Sequence, residues 1–402
     1  MTKYRNILVV LTIVVLVLAA CRPAAAPTKE PYKVGMTAAL TGPAAATAFP
    51  EAEGFRLYMQ KLNDSGGIDG RLVQLTMQDD RGEPTQAASN MRKFTDMGVQ
   101  IVRNTSPSAT FLPTIQEAKR ANIPVVTTMV SPAEAMPPTP DPLVYMASHH
   151  MTPQSLFLSL DAMKNITPTP KIGLLAIQIP ISALGIQNMD KEAKRMGIDT
   201  MMKVVPADTV DITSVAQAFQ EWGANWIYYF GPGAFSPMLF DAMQKMGWKG
   251  NLMENAMTTP FETMEEKYKG NPNVYLASVY APFSDDLPVH RDIKEAAKKY
   301  GATNLNSLFI IGWNDGLIFA EILKKTGWPV TTEKLLKVMQ SLEVNRSPVM
   351  GPLKWTPQDH VGKFSFRVYQ FKGNTMVATG PWFVSDAKGE NRSTVKDLKD
   401  IK

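Results

Sequence analysis

The 402-residue sequence has almost no cysteine and little histidine. Cys21 is the only cysteine, which excludes intramolecular disulfides and any metal site built from several thiolates. The histidines His149, His150, His290 and His360 show no metal-ligand spacing such as His-x3-His. The sequence therefore predicts no metal and no cofactor, and its stability must come from a hydrophobic core.

Motifs of common enzyme classes are also absent. The sequence contains no G-x-S-x-G elbow, no G-x-x-x-x-G-K-[ST] phosphate loop and no H-E-x-x-H zinc motif. Gly231-Pro232-Gly233 follows a predicted strand, but its proline removes a backbone N–H, which favours a tight turn over a dinucleotide site. A hydrolase would need a nucleophile and a base, and we find no such pair. The sequence predicts a protein that is not an enzyme.

Charge is sparse and dispersed. The formal net charge is +5, and removal of Lys3 and Arg5 with a signal segment lowers it by 2 to +3. Apolar residues make up 45% and charged residues 20%, which is typical of a globular protein. No cluster of Lys and Arg is present, so we expect no nucleic-acid partner.

Residues 1–20 are predicted to be a lipoprotein signal peptide. Lys3 and Arg5 precede an apolar stretch over residues 7–20, which is shorter than the roughly 20 residues of a membrane span. Leu18-Ala19-Ala20-Cys21 resembles a bacterial lipobox with Cys21 at the lipidation position. The alternatives are an ordinary signal peptide and an uncleaved anchor. We expect an extracytoplasmic protein, periplasmic or at the cell surface, held to the lipid bilayer through acylated Cys21.

The remaining chain alternates short apolar runs with amphipathic stretches. Residues 21–31 are predicted to be a Pro/Ala tether, and the roughly 370 residues after it exceed one hydrophobic core. The alternation predicts an α/β fold with two doubly wound parallel-sheet lobes. Predicted strands cover residues 33–40, 73–79, 99–105, 123–128, 143–147, 171–178, 201–205, 226–230, 252–255 and 274–280. Predicted helices cover residues 52–63, 83–97, 183–196, 215–222, 237–246, 292–300 and 308–325.

Changes in this alternation predict where the lobes divide. The proline-rich residues 131–142 interrupt the first series, and the second series gives way near residues 280–282. Residues 352–383 turn to β character, with a hairpin turn at Lys372-Gly373-Asn374. We predict lobes joined by multiple crossovers. The first lobe comprises 32–148 and 283–345, the second comprises 149–282 and 346–385, and 386–402 form a C-terminal tail.

Hydroxyl residues follow two of the predicted strands. Ser106, Ser108 and Thr110 follow strand 99–105 and lead into a helix that begins near residues 111–113. Thr128 and Ser131 follow strand 123–128, with Met129 and Val130 between them. Ligands of such sheets bind beyond the carboxyl ends of the strands, and a helix N-terminus there suits a carboxylate. The alternative is N-capping by Ser108 or Thr110.

Two adjacent carboxylates, Asp79 and Asp80, follow the second strand. Paired carboxylates can perform acid–base chemistry. Arg81 and a Gly-Glu-Pro helix start come directly after them, which favours local capping and salt bridging.

Several segments resemble the branched-chain amino-acid-binding proteins of ABC importers. They include Leu40-Thr41-Gly42-Pro43, the N-x-x-GGI-x-G pattern at residues 63–70, and Met350-Gly351-Pro352-Leu353-Lys354-Trp355. The resemblance extends from about residue 32 to about residue 380. It implies the type I periplasmic binding protein fold, a Venus-flytrap whose two lobes close on a ligand and whose closed form an importer recognises.

The resemblance also suggests roles for individual residues. Ser106 falls on the family's carboxylate-binding serine, and residues 128–131 fall on the segment that holds the ligand's carboxylate and ammonium. In the second lobe, the glutamate that pairs with the ammonium aligns near Ala256, two residues after Glu254. The family's aromatic positions align near Ser182 and near Pro232, and the segment from Tyr229 to Pro232 is expected to shape this side of the site. Either Glu254 replaces the missing acid, or the ligand is a carboxylate that lacks an α-ammonium. An amide-type ligand is a further alternative.

The predicted function is an extracytoplasmic solute-binding lipoprotein of an ABC importer. It would capture a small carboxylate-bearing ligand by lobe closure. The ligand would be a branched-chain or hydrophobic amino acid, or an aromatic or aliphatic acid. The expected partners are this ligand, the permease subunits and the bilayer. The alternative is a ligand-sensing receptor of the same fold coupled to a signalling partner.

Overall fold

The computed structural model describes residues 29–129, 133–147, 153–178, 180–206, 208–231, 235–255, 260–268 and 270–401. Within these residues the chain forms eleven α-helices and fifteen β-strands. The helices are α1 (Ala45–Asp64), α2 (Pro84–Asp96), α3 (Ser108–Ala121), α4 (Pro153–Ile166), α5 (Pro180–Arg195), α6 (Thr213–Trp222), α7 (Phe235–Lys245), α8 (Phe261–Tyr268), α9 (Pro288–Lys299), α10 (Phe309–Thr326) and α11 (Thr332–Met339). The strands are β1 (Tyr32–Ala38), β2 (Val73–Asp79), β3 (Ile101–Thr105), β4 (Val125–Thr127), β5 (Val144–Met146), β6 (Lys171–Ile177), β7 (Asp199–Val205), β8 (Trp226–Phe230), β9 (Asn251–Asn255), β10 (Val274–Ser278), β11 (Glu343–Val344), β12 (Leu353–Lys354), β13 (Phe364–Lys372), β14 (Thr375–Ser385) and β15 (Ser393–Val395).

The first lobe is built on a parallel sheet of strand order β2-β1-β3-β4-β5. β1 lies between β2 and β3, so that Val34 pairs with Leu75 on one side and Ile101 on the other. Every residue of β3 and β4 is buried. β-Branched residues dominate both strands, as expected for parallel strands covered on both faces.

The second lobe contains a larger, mixed sheet. Its parallel part has the order β7-β6-β8-β9-β10, and the antiparallel strands β13, β14 and β15 extend it beyond β10. The predicted hairpin is confirmed, with Lys372 paired to Thr375. Residues 386–402, predicted to be a C-terminal tail, contain β15, which pairs with β14 in this sheet.

The closest helix pair in the first lobe joins distant parts of the chain. α1 and α10 approach each other at two glycines. A methyl group on Gly312 would lie 1.8 Å from the carbonyl oxygen of Glu51, and one on Gly54 would lie 2.1 Å from that of Phe309. Larger residues would force the helices apart, so these glycines allow α10 to return and cover the first lobe.

A buried arginine joins the segments that connect the lobes. Arg346 is 5% exposed, and its Nη1 donates to the carbonyl oxygen of Ala147 at 2.8 Å. Its Nε donates to the carbonyl oxygen of Gly351 at 2.7 Å. The backbone N–H of Ala281 donates to the carbonyl oxygen of Val349 at 2.8 Å. The segment that contains Ala281 is therefore a third connecting segment bonded beside Arg346. Burial lowers the pKa of Arg346 to about 10, so the side chain remains charged at neutral pH.

The C-terminal segment also contacts both lobes. Asp386 accepts backbone N–H bonds from three of the residues that follow it. Ala387 packs in an apolar cluster with first-lobe side chains that include those of α3. Arg392 then binds the second lobe, with contacts of 2.7 Å to both Asp161 on α4 and Glu192 on α5. We call residues 386–392 the strap.

All ten predicted strands of the two parallel sheets are present, with ends shifted by at most two residues. Helix α3 begins at Ser108, ahead of the predicted start near residues 111–113. Helices α4, α8 and α11 were not predicted. None of the described helices is long and apolar enough to cross a membrane. The described residues also contain no cluster of His, Cys, Asp and Glu that could hold a metal ion.

Candidate functional site

The two parallel sheets each have one point where the strand order reverses. In the first lobe it lies between β1 and β3, and in the second lobe between β6 and β8. Ligands of open α/β sheets bind outside the carboxyl ends of the strands at such points. The candidate site is therefore formed by the segments that follow these strands.

Helix α3 starts at the first of these points. Its N-cap residue is Pro107, and no side chain caps its first turn. The alternative hypothesis, that Ser108 or Thr110 caps the N-terminus of this helix, is therefore wrong. Ser108 is exposed as the first helical residue, and the hydroxyl of Thr110 donates to the carbonyl oxygen of Pro107 at 2.9 Å. The first N–H groups of a 14-residue helix and its positive dipole end are left without a side-chain acceptor.

Ser106 lies directly before this helix and is fully buried. Its hydroxyl lies 2.7 Å from both carboxylate oxygens of Asp80 and donates to that carboxylate. Asp80 also accepts from the Thr37 hydroxyl at 2.7 Å and from the Gly82 N–H at 2.9 Å. Burial raises the pKa of Asp80 above the usual range of a carboxyl. Asp80 thus fixes the position of Ser106.

Asp79, the other member of the acidic pair, lies 4.0 Å from Nε of Arg81, but the predicted capping is wrong because no side chain caps the first turn of α2. It accepts bonds from the backbone N–H groups of Leu40, Thr41 and Arg81. The Thr41 hydroxyl donates to its second oxygen at 2.6 Å. These bonds fix the loop that follows β1, at the other side of the same switch point.

Thr128 borders a buried charge cluster beneath the edge of the first sheet. Its hydroxyl lies 3.3 Å from Oε2 of Glu51, which lies 3.8 Å from Nη2 of Arg103. Arg103 in turn binds Asp315 of α10 at 2.6 Å. Sequence reasoning missed this cluster because its members are far apart in the chain. The sequence feature that could have indicated the cluster is Arg103, a charged residue inside an otherwise uncharged buried strand. Met129 is half-buried, while Val130 and Ser131 lie outside the described residues.

Ser182 lies at the switch point of the second lobe. It belongs to the first turn of α5 and is fully buried. Three residues on, a methyl group on Gly185 would meet the ring of Phe230 at 2.3 Å, so the helix packs closely on the end of β8. Among the described residues, the Ser182 hydroxyl has no hydrogen-bond partner.

Tyr229 and Glu254 occupy neighbouring strands, but both are enclosed. Tyr229 is buried in the apolar cluster beneath α7. Glu254 is 2% exposed, and its Oε1 accepts from the hydroxyl of Tyr268 at 2.6 Å. Burial raises the pKa of Glu254 to about 7, while hydrogen bonds from Tyr268 and Ser236 oppose this rise. Ala256, the position aligned with the family's glutamate, lies outside the described residues, as does Cys21.

The profile of the family described as "Periplasmic binding protein" matches residues 31–376. The chain belongs to this family. The resemblance noted in the sequence and the two-lobe type I fold are both confirmed. Members of the family bind solutes outside the cytoplasm without chemical turnover, so the prediction that the protein is not an enzyme is also confirmed.

Curated relatives of this periplasmic binding protein match over short stretches. Leu/Ile/Val-binding protein homolog 4 of Brucella abortus is 28% identical over 100 residues, which is 25% of this chain and 24% of the relative. Leu/Ile/Val-binding protein BraC3 of Rhizobium johnstonii is 35% identical over 80 residues, 20% of this chain and 22% of the relative. The chain therefore aligns with about a quarter of the length of these relatives.

Solved structures match over most of the chain at low identity. A branched-chain amino acid ABC transporter protein from Thermus thermophilus with bound valine has a TM-score of 0.76 at 15% identity, covering 90% of this chain and 98% of that one. A fatty acid ABC transporter substrate-binding protein from Thermomonospora curvata has a TM-score of 0.74 at 16% identity, covering 92% and 96%. A solute-binding protein from Rhodopseudomonas palustris in complex with 3,4-dihydroxybenzoic acid has a TM-score of 0.70 at 16% identity, covering 89% and 97%. These similarities establish the shared fold.

Proposed function

We propose that this protein is the solute-binding subunit of an ABC importer and captures a small carboxylate-bearing ligand by closing its two lobes. The observation that supports a carboxylate is the uncapped N-terminus of α3 beside buried Ser106. The N–H groups of a first helical turn are ready-made donors for an anion. Two structural neighbours whose names include ABC transporters support import over sensing.

The first lobe would bind the carboxylate with few rearrangements. The exposed Ser108 hydroxyl and the N–H groups of the first turn of α3 would contact its oxygens, with Ser106 and Thr128 beside them. The segment at 129–131 would complete this side of the site.

The second lobe would contribute Ser182 and the segment around Ala256. The side chains of Tyr229 and Glu254 are enclosed and would shape this side of the site indirectly. Closure places a ligand in contact with both lobes, so affinity depends on the hinge equilibrium as well as on the contacts. Arg346 joins the crossing segments, which makes this group the natural pivot of such a motion.

Lipid anchoring through Cys21 is part of the same proposal. The lipobox-like sequence places the only cysteine of the chain at the acylation position. Replacement of Cys21 by alanine should abolish incorporation of labelled palmitate and release the protein from the membrane fraction. Unchanged fractionation of the variant would argue for another mode of attachment.

Titration calorimetry with a matched acid and amide tests the carboxylate. 4-Methylpentanoate should bind at least about tenfold more tightly than 4-methylpentanamide, because a charged acceptor roughly doubles the strength of each hydrogen bond. Phenylacetate and phenylacetamide form a second pair for an aromatic ligand. Equal binding of acid and amide, or no binding of either acid, would refute the proposal.

A serine pair provides the matched variants. Ser108→Ala should weaken binding of the acid about tenfold, since each tenfold change corresponds to about 1.4 kcal/mol, the strength of one good hydrogen bond. Ser341→Ala removes a hydroxyl that bonds only to backbone carbonyls at the end of α11 and should leave binding unchanged.

A further inference from the structure

Helices α4 and α5 lie side by side and point in the same direction. Near their C-terminal ends, Nζ of Lys164 on α4 donates to the carbonyl oxygen of Met196, directly after α5, at 3.4 Å. About one turn earlier, Arg392 bridges Asp161 of α4 and Glu192 of α5. These two contacts at matching positions show that the helices are parallel, so their N-termini lie at the same end.

That end is the carboxyl edge of the second sheet. α4 stops at Ile166, shortly before β6 begins at Lys171, and α5 starts shortly after β6 ends. The 14 residues of α4 span about 21 Å and the 7 residues of β6 about 23 Å, so α4 begins level with the end of β6. Both helix N-termini therefore face the site.

Each first turn holds a buried polar side chain without a partner. Gln154 of α4 and Ser182 of α5 are both fully buried. Neither amide atom of Gln154 nor the hydroxyl of Ser182 finds a hydrogen bond among the described residues. Such groups are rare in folded proteins because burial removes their bonds to water. Ser182 lies on the same face of α5 as Ile186 and Met189, which pack in the core. It is therefore at the N-terminal end of the buried face of α5, the end that is nearest the candidate site.

The chemistry of this place favours an oxygen-bearing group. Two helix N-termini supply positive dipole ends, and the amide of Gln154 and the hydroxyl of Ser182 supply further donors. An ammonium would meet unfavourable dipoles here. The nearby acid Glu254 is already held by Tyr268.

We infer that the N-termini of α4 and α5, with Gln154 and Ser182, form a second polar subsite that accepts a carbonyl, hydroxyl or carboxylate oxygen of the ligand. The ligand class is then an organic acid that carries a second oxygen group where an amino acid carries its ammonium. This inference rests on the proposed function, because it assumes that the first carboxylate binds at α3.

Acids that differ only at C2 test the subsite. The aliphatic set is 4-methylpentanoate, 2-oxo-4-methylpentanoate and leucine, and the aromatic set is 3-phenylpropanoate, phenylpyruvate and phenylalanine. The protein is expected to bind acids of one of these two sets. Within that set, calorimetry with the purified protein should show the oxo acid binding at least about tenfold more tightly than the plain acid. The amino acid should bind most weakly. Tightest binding of the amino acid would overturn the inference.

Two variants separate ligand binding from a structural role. Ser182→Ala and Gln154→Met should weaken binding of the oxo acid about tenfold more than binding of the plain acid, and should leave the melting temperature unchanged or raised. A structural role predicts a lower melting temperature and equal losses for both acids, and that result would overturn the inference.

The outcomes also distinguish the inference from the proposed function. If plain acids bind but the oxo group adds no affinity, the inference fails while the carboxylate site stands. If no acid of either set binds, both fail.

Discussion

The enclosed carboxyl of Glu254 makes the stability of the protein depend on pH. Burial raises its pKa from 4.5 to about 7 in the folded protein. The folded state thus binds a proton that the unfolded state releases between these values, and stability falls as pH rises through this range. Because one pKa unit corresponds to about 1.4 kcal/mol, the expected loss by pH 8 is about 3 kcal/mol.

Glu254→Gln removes this titration while keeping the shape of the side chain and an acceptor for Tyr268. The variant should gain stability relative to the parent as pH rises, by about 3 kcal/mol between pH 4.5 and pH 8. Urea unfolding at several pH values, each fitted for the free energy of unfolding, measures this difference.

His290 provides the internal control for this experiment. Burial lowers its pKa to about 4, so its contribution to stability rises between pH 4 and 6.5, opposite in sign to that of Glu254. This contribution is common to parent and Glu254→Gln and cancels in their difference. A difference that stays constant from pH 5 to 8 would show that the Glu254 carboxyl titrates normally, and the account of its burial would be refuted.

Three further substitutions test the fold. Gly312→Ala should destabilise the protein by about 3 kcal/mol in urea unfolding, because the new methyl group would overlap the carbonyl of Glu51. Gly380→Ala, whose methyl group meets nothing within 4 Å, should cost far less, and equal losses would contradict the close approach of α1 and α10. Arg346→Met should lower the free energy of unfolding by about 3 kcal/mol, since two buried carbonyls lose a charged donor. A loss below about 0.5 kcal/mol would mean that water replaces these bonds. Arg392→Ala should cost about 1–2 kcal/mol and speed proteolysis within the strap, because both acids that it joins are largely buried. Arg195→Ala serves as the control, because Arg195 also binds Glu192 but is more exposed than Arg392. Equal effects of Arg392→Ala and Arg195→Ala would exclude a special role for the strap.

The elements that the sequence predicts correctly are those with strong local patterns. Apolar, β-branched runs such as residues 101–105 and 226–230 mark buried strands regardless of their neighbours. Helix α4 was missed because its apolar residues extend around much of its surface, which blurs the stripe that reveals an amphipathic helix. The short strand β15 was missed because its three residues carry too little pattern.

Some residues of the candidate site could likewise be predicted from the sequence, and others could not. Ser106 and Ser108 could be found because residues that follow strands of a parallel sheet meet at one edge. Gln154 could not, since its importance lies in having no partner, and partners are not visible in a sequence. The role of Glu254 was equally hidden, because it depends on a tyrosine presented by a separate helix.

The sequence by itself determined the α/β class, the order of the ten parallel strands along the chain and the family resemblance, because hydrophobic periodicity and short motifs act over a few residues. It also identified hydroxyl groups at the ends of two strands. Only the tertiary structure decided that Ser106 is held by Asp80, that Glu254 is enclosed beside Tyr268, and that Gln154 and Ser182 are buried without partners. These properties depend on desolvation and on hydrogen bonds between residues distant in the chain, which exist only after the lobes have folded.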